Sequence, residues 1–228
     1  MTPLRGHKYL ILLVVLVGGL IGQSLHHTVI AAPAVLSVLQ TITVVAVFLG
    51  VFEERRNRVV ALWLGIITAA VGWSKYVLPV QYHAAVDVAE HSLHMVFVGY
   101  AAIVILGDIF KKKLVRGDDV LGAACGYLLA SAAWASLFRV CELLSPGSFN
   151  LSTPISEQLA TPQGVVGVFE YFSLATLTSV GYGDITPVRG PATAFAMLET
   201  VFGQFYIAVV VARLVGIRLT QGVQRPRE

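Results

Sequence analysis

Residues 165–176 read VVGVFEYFSLAT, and residues 177–184 read LTSVGYGD. The first of these runs is apolar enough to enter a membrane but too short to cross one, because a spanning helix needs roughly 20 apolar residues. The second run cannot continue a helix at low cost, since Gly181 and Gly183 flank Tyr182. Backbone that is not helical at membrane depth must be buried in protein or line a water-filled cavity. The two runs therefore predict a short helix that enters the membrane and returns through an extended strand.

The composition of the whole chain agrees with a membrane setting. Of the 228 residues, 56% are hydrophobic and 13% are charged, whereas a soluble domain carries about 25% charged residues. This balance excludes an ordinary soluble enzyme, a disordered tail and a nucleic-acid-binding protein. Cys125 and Cys141 lie in one apolar segment and indicate no disulfide framework. The class predicted is an all-α integral membrane protein.

The apolar runs predict six transmembrane helices. No Asp, Glu, Lys or Arg occurs between Tyr9 and Phe52, a length that suits two spans separated near Pro33. Residues 144–164 are rich in Ser, Pro, Gly and Thr and predict an exposed outer loop. The helices are expected near residues 8–24, 33–52, 59–78, 88–110, 118–143 and 191–216.

The distribution of basic residues predicts the orientation in the lipid bilayer. With six spans and a cytoplasmic N-terminus, 13 of the 16 Lys and Arg residues fall on the cytoplasmic side. Only Lys75, Arg139 and Arg189 fall toward the outside. Both termini are therefore expected in the cytoplasm, with the protein in a plasma or bacterial inner membrane.

The run around Tyr182 suits the binding of small cations. Glycine adopts backbone angles that are closed to other residues, so Gly181 and Gly183 in alternation with Val180 and Tyr182 can turn successive carbonyl groups to one side. A row of carbonyl oxygens can replace the water around an ion. The side chains of Val180 and Tyr182 then point away and can pack into the surrounding wall.

The segment TLTSVGYGD, residues 176–184, resembles the selectivity-filter signature of potassium channels. The preceding YFSLAT and the downstream Pro187 resemble the pore helix and the outer exit of that family, and the resemblance extends over about 165–216, with helix 5 as the outer pore helix. It implies K⁺ ions bound by the carbonyls of Ser179, Val180, Gly181 and Tyr182, no organic cofactor, and four chains around one axis. The implied ion-binding filter comprises Thr178, Ser179, Val180, Gly181, Tyr182 and Gly183.

The resemblance also divides the chain and assigns residues that support the filter. It implies a four-helix membrane domain at 1–116 and a pore domain at 117–228. Asp184 corresponds to the aspartate that is tied to the pore helix behind the filter. Some relatives use a glutamate for this tie, but Ala175 occupies that position, so Tyr171 is the expected partner through its hydroxyl group. Ser179 takes the place of the commoner threonine and keeps the hydroxyl oxygen without the methyl group.

The last helix carries the candidate gate. Gly203 is either a gating hinge or a site of close helix packing. Helical spacing predicts that Ile207, Val211 and Val215 share its face and form an apolar constriction. Glu199 is an acid within the membrane, and a structural bond to a pore-helix hydroxyl such as Ser173 is favoured over a direct functional role.

Helices 1–4 occupy the position of a voltage sensor but lack its charges. The expected fourth helix, Val88–Phe110, contains no Lys or Arg, whereas a voltage sensor needs several charges on one helix. The function predicted is passive K⁺ conduction that is not steeply voltage-gated and involves no enzymatic reaction. The stimulus that opens the pore must act on the membrane part, on the filter or through a separate regulatory subunit.

Histidines and acids gather toward the predicted outer side. If the fourth helix begins early, two sets of residues have the spacing of one helical face: His83, Asp87 and His91 in one set, and Glu90 and His94 in the other. Proton or divalent-metal sensing is one hypothesis for them, and amphipathic side chains at the membrane boundary are the favoured reading. Two rival functions remain open, a weakly selective cation channel and a haem-binding redox protein that uses His26 or His27 with His91 or His94.

Overall fold

A computed structural model describes residues 8–29, 33–112, 114–152 and 164–223, without the side chains of 24–29, 33, 36, 164–166 and 220–223. Almost all of the described residues are helical, as their composition predicts. The elements in chain order are α1 Lys8–Val29, α2 Pro33–Val51, α3 Arg55–Ser74, α4 His83–Lys111, α5 Gly117–Leu144, β1 Phe149–Leu151, α6 Gly164–Leu177, β2 Ile185–Pro187, α7 Gly190–Tyr206, a π-helical turn Ile207–Val211 and α8 Ala212–Val223.

Several helix ends differ from the sequence-based expectation. α1 continues to Val29, α3 begins at Arg55 and ends at Ser74, and α4 begins at His83 after a 3₁₀ turn, Val80–Tyr82. Polar residues end a hydrophobic run but do not break a helix, so α1 and α4 extend into polar sequence. α3 stops before Pro79 because the chain turns there, with the amides of Val77 and Leu78 donating to the Ser74 carbonyl.

The six-span expectation is confirmed in part. Within the described residues, four helical segments are long and apolar enough to cross a membrane: Arg55–Ser74, Val80–Lys111, Gly117–Leu144 and Gly190–Leu219. Lys8–Gln23 and Ser37–Val51, the continuous parts of α1 and α2 whose side chains are described, are apolar but shorter. The short helix α6 lies where the sequence predicts a membrane-entering helix, one residue longer at each end.

α4 and α5 form the centre of the packing. They run antiparallel, and α1 contacts α2, α5 and α6. One buried apolar cluster joins Leu12 of α1, Val47 of α2, Phe97 of α4, Leu129 of α5 and Tyr206 of α7. Residues from both sides of the expected division at 116 therefore share a core.

A small sheet follows α5 where the sequence predicts an exposed loop. β1 pairs antiparallel with β2, which joins Asn150 to Thr186 across the ladder. Phe149 is 5% exposed, so the expectation of an exposed loop is wrong for β1, while residues 153–163 of that loop lie outside the described part. The ring of Phe149 stacks edge-on against Phe138, Phe169 and Phe172. This aromatic contact is the physical reason that β1 is drawn inward.

The connection between α4 and α5 is short and held by charged groups. Asp119 accepts a hydrogen bond from the Arg116 amide at 2.8 Å and forms an ion pair with Lys112. Arg213 of α8 donates to the carbonyls of Phe110 and Lys112, and its guanidinium lies over the Phe110 ring. The first turn of α8 is thus attached to the end of α4.

The aromatic contacts of β1 lead to a stability prediction. Phe149→Ala removes the ring that connects β1 to α5 and α6, and the expected cost is about 3–5 kcal/mol of unfolding free energy. Thermal unfolding of the purified protein should show a clearly lower midpoint, whereas Leu144→Ala, at an exposed position, should leave the midpoint nearly unchanged. Equal midpoints for the two variants would contradict this role of Phe149.

Candidate functional site

Residues 178–183, called the strand from here on and distinct from β2, follow α6. Their amide groups attach this strand to the end of that helix. The amides of Val180 and Gly181 both donate to the Ala175 carbonyl, at 2.9 and 3.1 Å. The Ser179 amide donates to the Thr176 carbonyl at 2.9 Å. The strand therefore turns back against the C-terminal end of α6, and its amides face the protein.

The backbone of this strand alternates between two conformations. φ is +58° at Ser179, +54° at Gly181 and +79° at Gly183, whereas Val180 and Tyr182 do not have positive φ. Alternation of left-handed and ordinary residues turns successive carbonyls to the same side of the strand. The sequence predicts this conformation for the two glycines but not for Ser179, which carries a Cβ and adopts it at a cost of about 1–2 kcal/mol.

The carbonyl groups of the strand have no hydrogen-bond partners in the part of the chain that the structure describes. Within the described residues, the carbonyls of Ser179, Val180, Gly181 and Tyr182 accept no hydrogen bond. An unpaired carbonyl is costly unless water or a cation satisfies it. The strand thus presents a row of oxygen atoms suited to a dehydrated cation.

The side chains of the strand are exposed in the single chain. Val180 is 54% exposed, and Tyr182 is 67% exposed although its ring stacks on Tyr171 at 5.8 Å. The wall that the sequence predicts around these two side chains is therefore incomplete within one chain.

Tyr171 of α6 binds Asp184 beyond the strand. Its hydroxyl donates to Asp184 Oδ2 at 2.6 Å, and Asp184 Oδ1 accepts from the Ile185 amide at 3.0 Å. This is the hydrogen bond that the sequence predicts in place of the missing glutamate. It joins the exit of the strand to the helix that precedes it.

Glu199 of α7 lies between three helices. It is 0% exposed, and Ser173 of α6 donates to its Oε1 at 2.5 Å while Ser173 Oγ lies 3.0 Å from Ser131 Oγ of α5. The predicted structural bond is present. Glu199 connects α7 to α6 in the protein interior.

Gln204 of α7 is a contact that the sequence analysis missed. Its side-chain amide donates to Ser179 Oγ at 2.7 Å. The hydroxyl at the inner end of the strand is therefore oriented by the last helix. No sequence motif predicts this contact, because the two residues are 25 positions apart.

Gly203 is a position of close packing. A Cβ there would overlap the carbonyl oxygen of Leu177, the last residue of α6. The same carbonyl accepts a hydrogen bond from Tyr127 of α5 at 3.0 Å. Of the two readings of Gly203, the structure displays the packing contact, and the hinge stays a prediction.

The single face expected along the last helix is wrong for Gly203. Gly203 is buried against α6, whereas Ile207, Val211 and Val215 are exposed. The π-helical turn Ile207–Val211 adds a residue to one turn and so shifts the four-residue spacing from Ile207 to Val211 on which the prediction relied. Ile207 and Val211 remain an exposed apolar pair below the strand.

The structure places the outer histidines and acids around one cavity, but it does not assemble them into a metal site. His83, Asp87, Glu90, His91 and His94 all line this cavity. Lys75 binds Glu90 at 2.9 Å and lies 3.8 Å from Asp87, and His94 Nδ1 lies 2.9 Å from Ser136 Oγ. In the described part of the chain, no group of three or more His, Cys, Asp or Glu residues is arranged to hold a metal ion. Proton sensing stays a prediction, and the side chains of His26 and His27 lie outside the described set.

Comparison with known families agrees with this geometry. Residues 160–219, which include α6, the strand and most of the last helix, match a family model described as an ion channel. The match supports an ion channel family and is consistent with the resemblance to potassium channels. Comparison with curated proteins and with solved structures gives no match. Together with the apolar helices, the match supports a membrane protein with an ion channel function.

The bond between Tyr171 and Asp184 leads to a functional prediction. Tyr171→Phe removes a hydrogen bond to a carboxylate, worth about 1.5–3 kcal/mol, and leaves the ring in place. We expect ion flux through the reconstituted protein to decline faster with time than in the wild type. Tyr82→Phe, at an exposed residue, serves as the matched control. A time course identical to that of the wild type would exclude a supporting role for this bond.

The contact at Gly203 leads to a second prediction. Gly203→Ala forces α7 away from the Leu177 carbonyl, at an expected cost of about 1–3 kcal/mol. The thermal unfolding midpoint and the ion flux should both fall. Gly216→Ala meets open space and should not lower the midpoint. If both variants behave alike, packing at Gly203 is not the constraint described above.

Proposed function

We propose that this protein is a potassium-selective channel that conducts K⁺ passively through a pore formed by four copies of the strand at 178–183. The observation that supports the proposal best is the positive φ at Ser179, Gly181 and Gly183 in alternation with Val180 and Tyr182, combined with carbonyls that have no partner among the described residues. A passive pore needs no reaction at these residues, so we propose no enzymatic activity. K⁺ ions are the ligands of the site, held by carbonyl oxygens and the Ser179 hydroxyl, and no organic cofactor is required.

The exposure of the strand supports the proposed tetramer. One strand presents oxygen atoms on one side only and cannot surround an ion. Residues 178–183 are all exposed in the single chain, and Met197 and Phe205 form part of an exposed apolar surface on α7. Three further copies would cover these residues and complete the ring of oxygen atoms. The protein would then be a homotetramer in the lipid bilayer of a cell membrane, with both termini in the cytoplasm.

Selectivity for K⁺ is proposed because the strand is held from behind. The amides of Val180 and Gly181 are attached to α6, Tyr171 holds Asp184, and Gln204 holds Ser179. These bonds restrict the movement of the carbonyls and therefore the size of the ion that they coordinate. A weakly selective cation channel is the nearest rival, and comparison of Na⁺ and K⁺ flux separates the two.

Gating by steep voltage sensing is not proposed. Within α4, the only Lys or Arg residue is Lys111, at its final position. A voltage sensor gains about 2.3 kcal/mol per charge and 100 mV, and a helix whose only Lys or Arg is its final residue lacks a series of basic gating charges. The apolar pair Ile207 and Val211 is the proposed constriction, which would close by excluding water.

The test is ion flux through the purified protein in liposomes, together with its mass in native mass spectrometry. The tetramer should be present, and K⁺ flux should exceed Na⁺ flux at least about tenfold, equivalent to 1.4 kcal/mol or more. Gly181→Ala imposes a side chain on a residue with φ of +54° and should reduce K⁺ flux or selectivity while the tetramer persists. Equal fluxes of the two ions, or a protein that remains monomeric, would refute the proposal.

A further inference from the structure

A cavity of about 410 Å³ lies between α1, α2, α4, α5 and α6, behind the helix that precedes the strand. Its volume falls within the range of roughly 300–1,000 Å³ that is typical of small-molecule sites. Its lining combines polar side chains, such as those of Gln23 and Glu170, with apolar side chains, such as those of Leu16, Leu128 and Val98. A cavity lined in this way suits a molecule with one polar end and one apolar end.

The charged residues of the lining are unevenly paired. Three acids, Lys75, Arg139 and three histidines line the cavity. Lys75 lies 3.8 Å from Asp87 and 2.9 Å from Glu90, whereas the buried Nε of Arg139 has no hydrogen-bond partner among the described residues. Glu170 of α6 forms no ion pair among the described side chains, and the Gln23 amide is its neighbour.

Glu170 also has unused hydrogen-bonding capacity. Its Oε2 and the Oε1 of Gln23 are both buried without a hydrogen-bond partner among the described residues. Buried acceptors without a partner are costly, and a donor or a cation would satisfy them. The remainder of the cavity has space for a molecule that carries such a donor, beside an apolar wall that includes Phe169.

We infer that this cavity binds a small amphipathic organic cation, with its ammonium group at Glu170 and Gln23 and its apolar part against Leu16 and Leu128. The ammonium supplies the donors that the two oxygens lack, and it neutralises Glu170, which forms no ion pair among the described side chains. The apolar part fills space that water would occupy less favourably. Ala132 of α5 also lines the cavity, and a larger side chain there would take up part of the volume.

A ligand in this cavity can affect the strand through Tyr171, the residue that follows Glu170. Glu170 precedes Tyr171, whose hydroxyl holds Asp184 at 2.6 Å. A cation bound to the Glu170 carboxylate would therefore contact the same turn of α6 that positions the Tyr171–Asp184 hydrogen bond. An effect of the cation on K⁺ flux therefore rests on the proposed channel function, whereas binding itself does not.

The experiment measures the binding of hexylammonium, which is cationic near neutral pH, to the full chain in lipid nanodiscs by calorimetry, with empty nanodiscs as the blank. Saturable binding is expected for hexylammonium but not for hexanol or hexanoate. Glu170→Gln keeps the shape and the neutral hydrogen bonds of the side chain but removes its charge, and it should weaken binding at least about tenfold. Ala132→Leu should weaken binding by filling the cavity, whereas Glu54→Gln, an exposed carboxyl distant from the lining, should not change it.

The outcomes separate this inference from the channel proposal. No saturable binding of hexylammonium, or binding that is insensitive to both Glu170→Gln and Ala132→Leu, would overturn the inference and indicate that Glu170 holds its own proton against Gln23. If Glu170→Gln does not fold, Ala132→Leu decides alone. Flux is recorded on the same preparations. Binding without K⁺ flux in the wild type would leave the site established and contradict only the channel proposal. Inhibition of flux that Glu170→Gln does not alter would place the amine in the pore and would contradict an effect of the cavity on flux.

Discussion

The unpaired carbonyls of residues 179–182 impose the main constraint on this structure. Peptide groups at membrane depth must find partners, yet here the amides turn back to Ala175 and Thr176 while the oxygens face outward. Such a strand persists only if the rest of the chain holds it in place and something outside the chain satisfies its oxygens. The surrounding contacts can be understood as supports for this arrangement. In the proposed tetramer, three further copies of the chain and bound cations would complete it.

The supports come from every side of α6. Tyr171 holds the outer end of the strand through Asp184, and Gln204 holds the inner end through Ser179. Below the helix, Tyr127 binds the Leu177 carbonyl. Within the interior, Ser173 bonds to Glu199 and connects α6 to α7. A short helix gains little from its own hydrogen bonds, so tertiary contacts of this kind decide its position.

The sequence predicted the helices, the short helix before the strand and the contact between Tyr171 and Asp184, because each depends on local pattern or on a specific motif. It did not predict the inward strand β1, since its burial depends on three rings contributed by α5 and α6. It did not predict the π-helical turn at Ile207, because the hydrophobic pattern there continues without a break. The sequence predicts a cluster of outer histidines and acids. It does not predict that Gln23 and Glu170 share their cavity, because these two residues come from helices far apart in the chain.

The connection between α4 and α5 determines how the two halves of the chain can move. α4 ends at Lys111 and α5 begins at Gly117, so the five residues between them allow little slack. Arg213 ties this connection to the base of α8 as well. A displacement of α4 along its axis would therefore move α5 and α8 of the same chain together. The first four helices would then restrict the motion of α5 and α8 instead of moving independently of them.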